Sequence, residues 1–404
     1  MAAGLRSRPG ALLVALLLGA VLTACGTTPG TSAGTSAGPS TAEGSHATHG
    51  EHRHAAGSSE GRAVRRVPLR AGERRTSVAM PEPYTPSAPT GVGTDDYRCF
   101  LLDPGLDQDA FVTGFNVLPD DDDIVHHVIL FRVPPDQVAE AQAKDDSEAG
   151  EGWTCFGTSG VGSHAGEIDD APWLGAWAPG GKEQLYGDGL GEPFDRGSRI
   201  IMQVHYNLLG EVGPDRSAAE LRWAPASRQL TPLLTRLVPA PVELPCRPGH
   251  RGELCDRDAA LADVKARFGE GPGALADLLH LLCGPVRPGP VQSCTRTVGH
   301  PETIRGVAGH MHLLGESIRV EVNPGKPDAI TVLDVPQWDF DNQASRPVRP
   351  VHLEPFDTIR VTCRHSQRLR DLLPAFSGQP EKYVLWGEGT TDEMCLGILL
   401  VTRP

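Results

Sequence analysis

The sequence predicts an all-β fold of two tandem antiparallel β-sandwich domains, jelly-roll-like, with a small helical insert and a disordered tether in front. Three observations predict it. Short apolar stretches separated by turn-rich segments recur from about residue 78 to the C-terminus, the rhythm of β-sandwiches. The chain holds 36 prolines and 47 glycines among 404 residues and few stretches of helical period, which favours strands and turns. Roughly 300 ordered residues exceed what one sandwich needs, so two domains are expected, over 78–228 and 229–404.

The first residues read as an export signal. Arg6 and Arg8 give a positive start, Ala11 to Leu22 form an apolar run, and Leu22-Thr23-Ala24-Cys25 closes it. That run is short for a transmembrane helix. The closing residues resemble a bacterial lipobox, implying cleavage before Cys25, lipid attachment to its thiol and an anchor on the outer face of the cell membrane. An ordinary secretory signal with an incidental cysteine is the alternative.

Residues 26–77 are expected to be a tether. Gly26 to about Gly61 is low-complexity Gly, Ser, Thr, Ala and Pro, and such a stretch buries too little to offset chain entropy. His46, His49, His52 and His54 lie within it. They read first as solvated tether, with loose gathering of copper as the sharper alternative.

The first strand series is Arg98 to Leu102, Ala110 to Val117, Ile124 to Val133 and Ser198 to Leu208. The second is Val298 to Leu314, Ser317 to Val322, Ala329 to Val335, Thr358 to Cys363, Tyr383 to Trp386 and Cys395 to Thr402. Between them, Asp256 to Leu282 repeats Ala, Leu, Val and Phe at helical spacing, predicting one or two inserted helices. Beyond Cys25 there are eight cysteines: Cys99, Cys155, Cys246, Cys255, Cys283, Cys294, Cys363 and Cys395. An even set without a CxxC pair suggests disulfides outside the cytoplasm rather than structural zinc. A net charge of −14 argues against nucleic acid as a partner.

Three local patterns carry chemistry: His126-His127 in a strand, His205 in Gln203-Val-His-Tyr206, and Gly309-His-Met-His-Leu-Leu-Gly315 with Met394 far downstream. On a strand, His310 and His312 project from one face while Met311 points away, so the pair can converge on one ion. Adjacent His126 and His127 face opposite sides of a regular strand. Both can be ligands only if the strand is bulged or ends there. Two imidazoles and a thioether suit copper, whereas three imidazoles suit copper or zinc. For a lone Met such as Met394, core packing is the ordinary role.

Taken together, these segments resemble the copper type II, ascorbate-dependent monooxygenases, the family of peptidylglycine α-hydroxylating and dopamine β-monooxygenases. The resemblance covers roughly Tyr97 to the C-terminus. It rests on His126-His127 before an apolar strand reaching Phe131, on Gln203-Val-His-Tyr206, on His310-x-His312-x-x-Gly315 and on Asp392-Glu-Met-Cys395, in that order.

The resemblance implies two coppers facing each other across a solvent-filled cleft. His126, His127 and His205 would hold the electron-transfer copper, and His310, His312 and Met394 the catalytic one. It implies hydroxylation of a C–H bond of a small molecule with O2 and ascorbate or an equivalent one-electron donor. It also implies disulfides Cys99–Cys155 and Cys363–Cys395, leaving Cys246, Cys255, Cys283 and Cys294 in two bridges of open pairing. Where the family has a further cysteine, this chain has Val133, and the expected partner is missing too. Peptidylglycine enzymes carry an Arg and a Tyr for the substrate where this chain has Ala308 and Ile398, so peptide amidation is not expected. Two other classes compete: a non-catalytic copper-binding lipoprotein, and a zinc hydrolase on His126, His127 and His205 using Asp122, Asp123 or Asp195 as base.

Overall fold

The computed structural model describes residues 66–89, 93–162 and 170–404. The expected signal run, Cys25 and the histidines of the expected tether lie outside them. The first half contributes strands β1 (Arg74–Ala79), β2 (Asp95–Leu102), β3 (Ala110–Leu118), β4 (Val125–Val133), β5 (Trp173–Trp177), β6 (Leu190–Phe194), β7 (Arg199–Asn207) and β8 (Ala218–Pro225). They form two sheets. One has the order β1-β8-β3-β6 with Thr231–Pro232 at its edge; the other runs from Trp153–Thr154 through β2, β7 and β4 to β5.

The second half contributes β9 (Leu234–Pro239), β10 (Val291–Thr297), β11 (Glu302–His310), β12 (Gly315–Val322), β13 (Ile330–Val335), β14 (Arg346–Leu353), β15 (Thr358–His365) and β16 (Leu396–Thr402). They build a sheet β14-β11-β16-β9 and a second, β10-β15-β12-β13. Neighbouring strands within all four sheets pair antiparallel, apart from the parallel edge pair of Thr231–Pro232 with β6. The fold is all-β and sandwich-like, as expected.

Alternation along β4 explains how the halves join. Val128 and Leu130 pack into the core of the first sandwich, whereas Ile129, Phe131 and Val133 join the core built mainly by the second half. Side chains of a strand alternate between faces, and here both faces are buried. That is why the segment reads as a continuous apolar run rather than as alternation. Asp170–Ala171 also adds an edge strand to β9 of the second half. The described residues form one compact unit. The ordered body begins by residue 66, ahead of the expected start at 78, because buried Arg222 donates hydrogen bonds to the carbonyls of Val67 (3.0 Å) and Pro68 (2.9 Å).

The insert is two helices, α2 (Arg257–Phe268) and α3 (Glu270–Cys283), preceded in the first half by α1 (Val138–Asp145). Asp256 caps α2 by accepting from the backbone N–H groups of Asp258 and Ala259. Gly269, at φ +87°, makes the turn into α3 in a conformation that favours glycine.

Four disulfides close the described body: Cys99–Cys155, Cys246–Cys255, Cys283–Cys294 and Cys363–Cys395. The two pairings left open by sequence are thus sequential around the insert. Cys363–Cys395 spans 32 residues of sequence, and closing a loop of that size is worth about 3–4 kcal/mol. The double variant Cys363→Ala/Cys395→Ala is expected to lose that much in urea unfolding. An unchanged midpoint and slope would show that the bridge adds nothing to stability.

Candidate metal centre

Strand β4 pairs with β7 in register from Val133 to His127, with His127 opposite His205. The next pair is Val125 with Tyr206, so His126 is an extra residue at a β-bulge. The bulge that adjacent ligands require is therefore present, and it turns both imidazoles to one side. His126, His127 and His205 are at most 9% exposed. Their Nδ1 atoms lie 2.9 Å (His126–His205), 3.3 Å (His126–His127) and 3.2 Å (His127–His205) apart. Ligand nitrogens about 2.0 Å from a tetrahedral metal are about 3.3 Å from one another, close to this spacing.

The protonation pattern suits a cation. The Nε2 of His205 donates to Asp95 Oδ1 at 2.9 Å, which in a neutral ring leaves Nδ1 as a lone pair facing the other two rings. Asp95 Oδ1 also accepts from Thr390 N at 2.9 Å and Thr390 Oγ1 at 2.6 Å. Burial would raise the Asp95 carboxyl, but the bonds from His205 and Thr390 hold it below its ordinary value. Burial, reinforced by the neighbouring histidines, lowers the pKa of His126 and His127 well below the ordinary imidazole value. Burial lowers His205 too, against Asp95. Neutral imidazoles with convergent lone pairs are what a metal takes up.

The second set is oriented from the opposite nitrogen. His310, at the end of β11, directs Nδ1 to Gln343 Oε1 at 2.7 Å. His312 directs Nδ1 to the carbonyl of Asp392 at 3.3 Å, leaving its Nε2 buried with no hydrogen-bond partner. In both rings the nitrogen left to bind an ion is Nε2. Such fixing of a ligand's tautomer by its other nitrogen is characteristic of metal-binding histidines. Burial, with His312 alongside, pushes His310 down to about 3. The ring centroids of His310 and His312 are 5.1 Å apart, and Met394 lines the same cavity as His310. Glu393 fastens this set: its carboxylate accepts from the backbone N–H groups of His312 (3.0 Å), Leu314 (2.5 Å) and Met394 (3.2 Å).

The two sets do not face each other across a solvent-filled gap. The His127 and His310 rings meet edge to face with centroids 5.6 Å apart, and Phe340 stacks on His126 at 4.5 Å. Three hydrogen bonds between the sequence halves run beside them: from Thr390 N and Thr390 Oγ1 to Asp95, and from the Tyr97 hydroxyl to the carbonyl of Glu388 at 2.6 Å. Tyr97 in turn stacks on His205, with centroids 3.9 Å apart. Beside the junction lies a cavity of about 620 Å³ lined by His127, His310 and Met394 together with mostly apolar side chains.

Asp95, Gln343, Phe340, Glu388 and Glu393 escaped the reading of the sequence. Only Glu393, next to Met394 within Asp392-Glu-Met-Cys395, carried a signal. The carboxylates proposed as a hydrolytic base do not serve one: Asp122, Asp123 and Asp195 are exposed, while the three histidines are buried. The carboxylate that reaches the set, Asp95, is tied to His205 and Thr390.

No family model matches the chain, and no curated protein matches it. Among solved structures, a Paenibacillus xanthan lyase is 13% identical with a TM-score of 0.18, over 82% of this chain. The chain spans 25% of that lyase's length. An allantoicase is 11% identical with a TM-score of 0.16, over 78% of this chain and 90% of its own. The coconut allergen cocosin is 10% identical with a TM-score of 0.16, over 82% and 85%. At these scores the likenesses say nothing of function.

Proposed function

We propose that this protein is a copper-dependent monooxygenase that hydroxylates a C–H bond of a small organic substrate: RH + O2 + 2 electrons + 2 protons give ROH + H2O. The electrons come from ascorbate or an equivalent one-electron donor. The observation that carries this reading is the pair of histidine sets in ring contact beside one mostly apolar cavity. Copper held by His126, His127 and His205, and by His310, His312 and Met394, would supply one-electron transfer and oxygen activation. Two imidazoles and a thioether favour that metal over zinc, calcium or magnesium.

The chain's own residues supply position and a mostly apolar cavity. Asp95 fixes the tautomer of His205, Gln343 that of His310, and the Asp392 carbonyl that of His312. Glu393 holds the His312 turn against the Met394 segment. The walls of the cavity are mostly apolar, which disfavours bulk water beside the histidine sets. Four disulfides support an extracytoplasmic location, and we place the chain on the outer face of the cell membrane, anchored through Cys25.

Metal analysis and oxygen uptake test the reading together. Mature protein loaded with copper should hold two ions per chain, and Met394→Ala should hold one. Oxygen uptake with ascorbate and a panel of C–H substrates should require both sets, so His205→Ala should abolish it. Zinc at full occupancy in protein purified without added metal would sink the proposal. Two coppers with no uptake on any substrate would leave a copper-binding protein instead.

A further inference from the structure

The cavity beside the two histidine sets is built for one kind of molecule. Phe131, Trp173, Trp177, Leu275, Leu278 and Ile398 supply apolar wall from both halves and from α3, and no lysine or arginine lines it. A carboxylate or phosphate entering would leave water without meeting a cationic side chain, which costs several kcal/mol.

Most polar groups on the wall are already engaged. Gln343 binds His310, and the Gln203 amide N–H reaches the carbonyl of Thr158. Thr158 Oγ1 accepts from Gly160 N. Glu388 differs. It is 4% exposed and lines the cavity, and its carboxyl has no hydrogen bond or ion pair among the described residues. Its carboxyl oxygens are not sealed off in protein, so their hydrogen-bond partner can come from the cavity.

We infer that this cavity binds an apolar small molecule with a neutral hydrogen-bonding head group, such as a hydroxyl, held at that end by the Glu388 carboxyl. Burial, with Asp392's charge adding, raises Glu388 to about 8, so at neutral pH it is an uncharged acid that donates a proton in a hydrogen bond. An uncharged acid donates to a neutral acceptor directly, whereas an ammonium group must first have it ionised, at a cost of about 1.4 kcal/mol at pH 7. A volume of about 620 Å³ sits in the range of pockets that enclose small ligands. Glu388 is here a binding residue that sets specificity. The inference rests on the monooxygenase reading in taking this molecule as the substrate, but its test does not.

Binding is read without turnover, by calorimetry on mature protein both copper-loaded and metal-free, with no reductant present. A head group binding through copper shows as a difference between the two, and the affinities compared are those of the metal-free protein. The probes are octan-1-ol, octylamine and octanoate, which share a chain and differ in the head group. Octan-1-ol should bind at least tenfold tighter than either charged probe. Glu388→Leu should weaken octan-1-ol about tenfold, the worth of one hydrogen bond, while Glu388→Gln, which keeps an N–H donor, should retain most of the affinity. Ile398→Arg, which puts a cation on the wall, should turn the preference toward octanoate and serves if Glu388→Leu fails to fold. Octanoate or octylamine binding as tightly as octan-1-ol in the unaltered protein would overturn the inference, as would Glu388→Leu with unchanged affinity. Selective octan-1-ol binding without oxygen uptake on any substrate would leave the inference standing and count against the monooxygenase reading instead.

Discussion

Asp95→Asn is expected to weaken copper binding at His126, His127 and His205 by about 10–100-fold, the usual cost of losing an outer partner of a ligand histidine. Copper at His310, His312 and Met394 should bind as before. The carboxylate accepts the hydrogen bond from His205 Nε2 and so holds the ring with Nδ1 turned to the other two histidines. Asparagine has the same shape, but its oxygen is neutral and its amide group donates. One of the three donors now meeting Asp95 Oδ1, His205 Nε2, Thr390 N and Thr390 Oγ1, then meets either a weaker acceptor or another donor. A chelator competition titration that resolves two copper events would read the effect. Thr390→Val is the control, because it removes one bond to the carboxylate and leaves His205 paired. Equal first-site affinity in Asp95→Asn and the unaltered protein would mean that the three nitrogens converge without help from the carboxylate.

Much of the scaffold was legible because strand chemistry is local. Ala110–Leu118 and Thr358–His365 lie almost where apolar and β-branched residues put them. Trp173–Trp177 and Leu190–Phe194 were missed. They carry Gly175, Gly191 and Pro193, residues that punctuate chains more often than they extend strands. The helix Val138–Asp145 was missed too; it buries only Ala141 and shows little apolar periodicity. His126-His127 was legible as a condition, that both bind only at a bulge, and the structure meets it between His205 and Tyr206. What could not be read is what the fold brings from far away. Asp95 and Thr390 are 295 positions apart in sequence, and a carboxylate at a strand start looks like any solvated one. The contact between His127 and His310 is of the same kind, since spacing along the chain is silent on how two sandwiches pack.

Asp392→Asn should destabilise the protein by about 3–5 kcal/mol at pH 7, the usual cost of removing one partner from a buried ion pair. Asp392 is 1% exposed and takes both Nη1 and Nη2 of Arg267, at 2.7 and 2.8 Å, together with Lys382 Nζ. Without its charge, two cations that are themselves nearly buried keep only Asp263, which is about a quarter exposed. The pH dependence follows in sign. Burial would raise the Asp392 carboxyl, but Arg267 and Lys382 hold it far below its ordinary value. A group depressed on folding stabilises above its unfolded pKa, about 3.9 for Asp, and loses that contribution as pH falls through the folded value. The gap between the two proteins should therefore be full at pH 7 and narrow once the pH drops below about 4. Urea unfolding at pH 7 and pH 3 measures both. Copper should report the same event locally, because the Asp392 carbonyl holds His312 and Met394 lies two residues on. Asp392→Asn should thus weaken the ion at His310, His312 and Met394 more than the ion at the three histidines. A loss below about 1 kcal/mol at pH 7, the level of an exposed pair, would mean that water reaches Arg267 and Lys382 and that the helical insert does not anchor the Met394 segment.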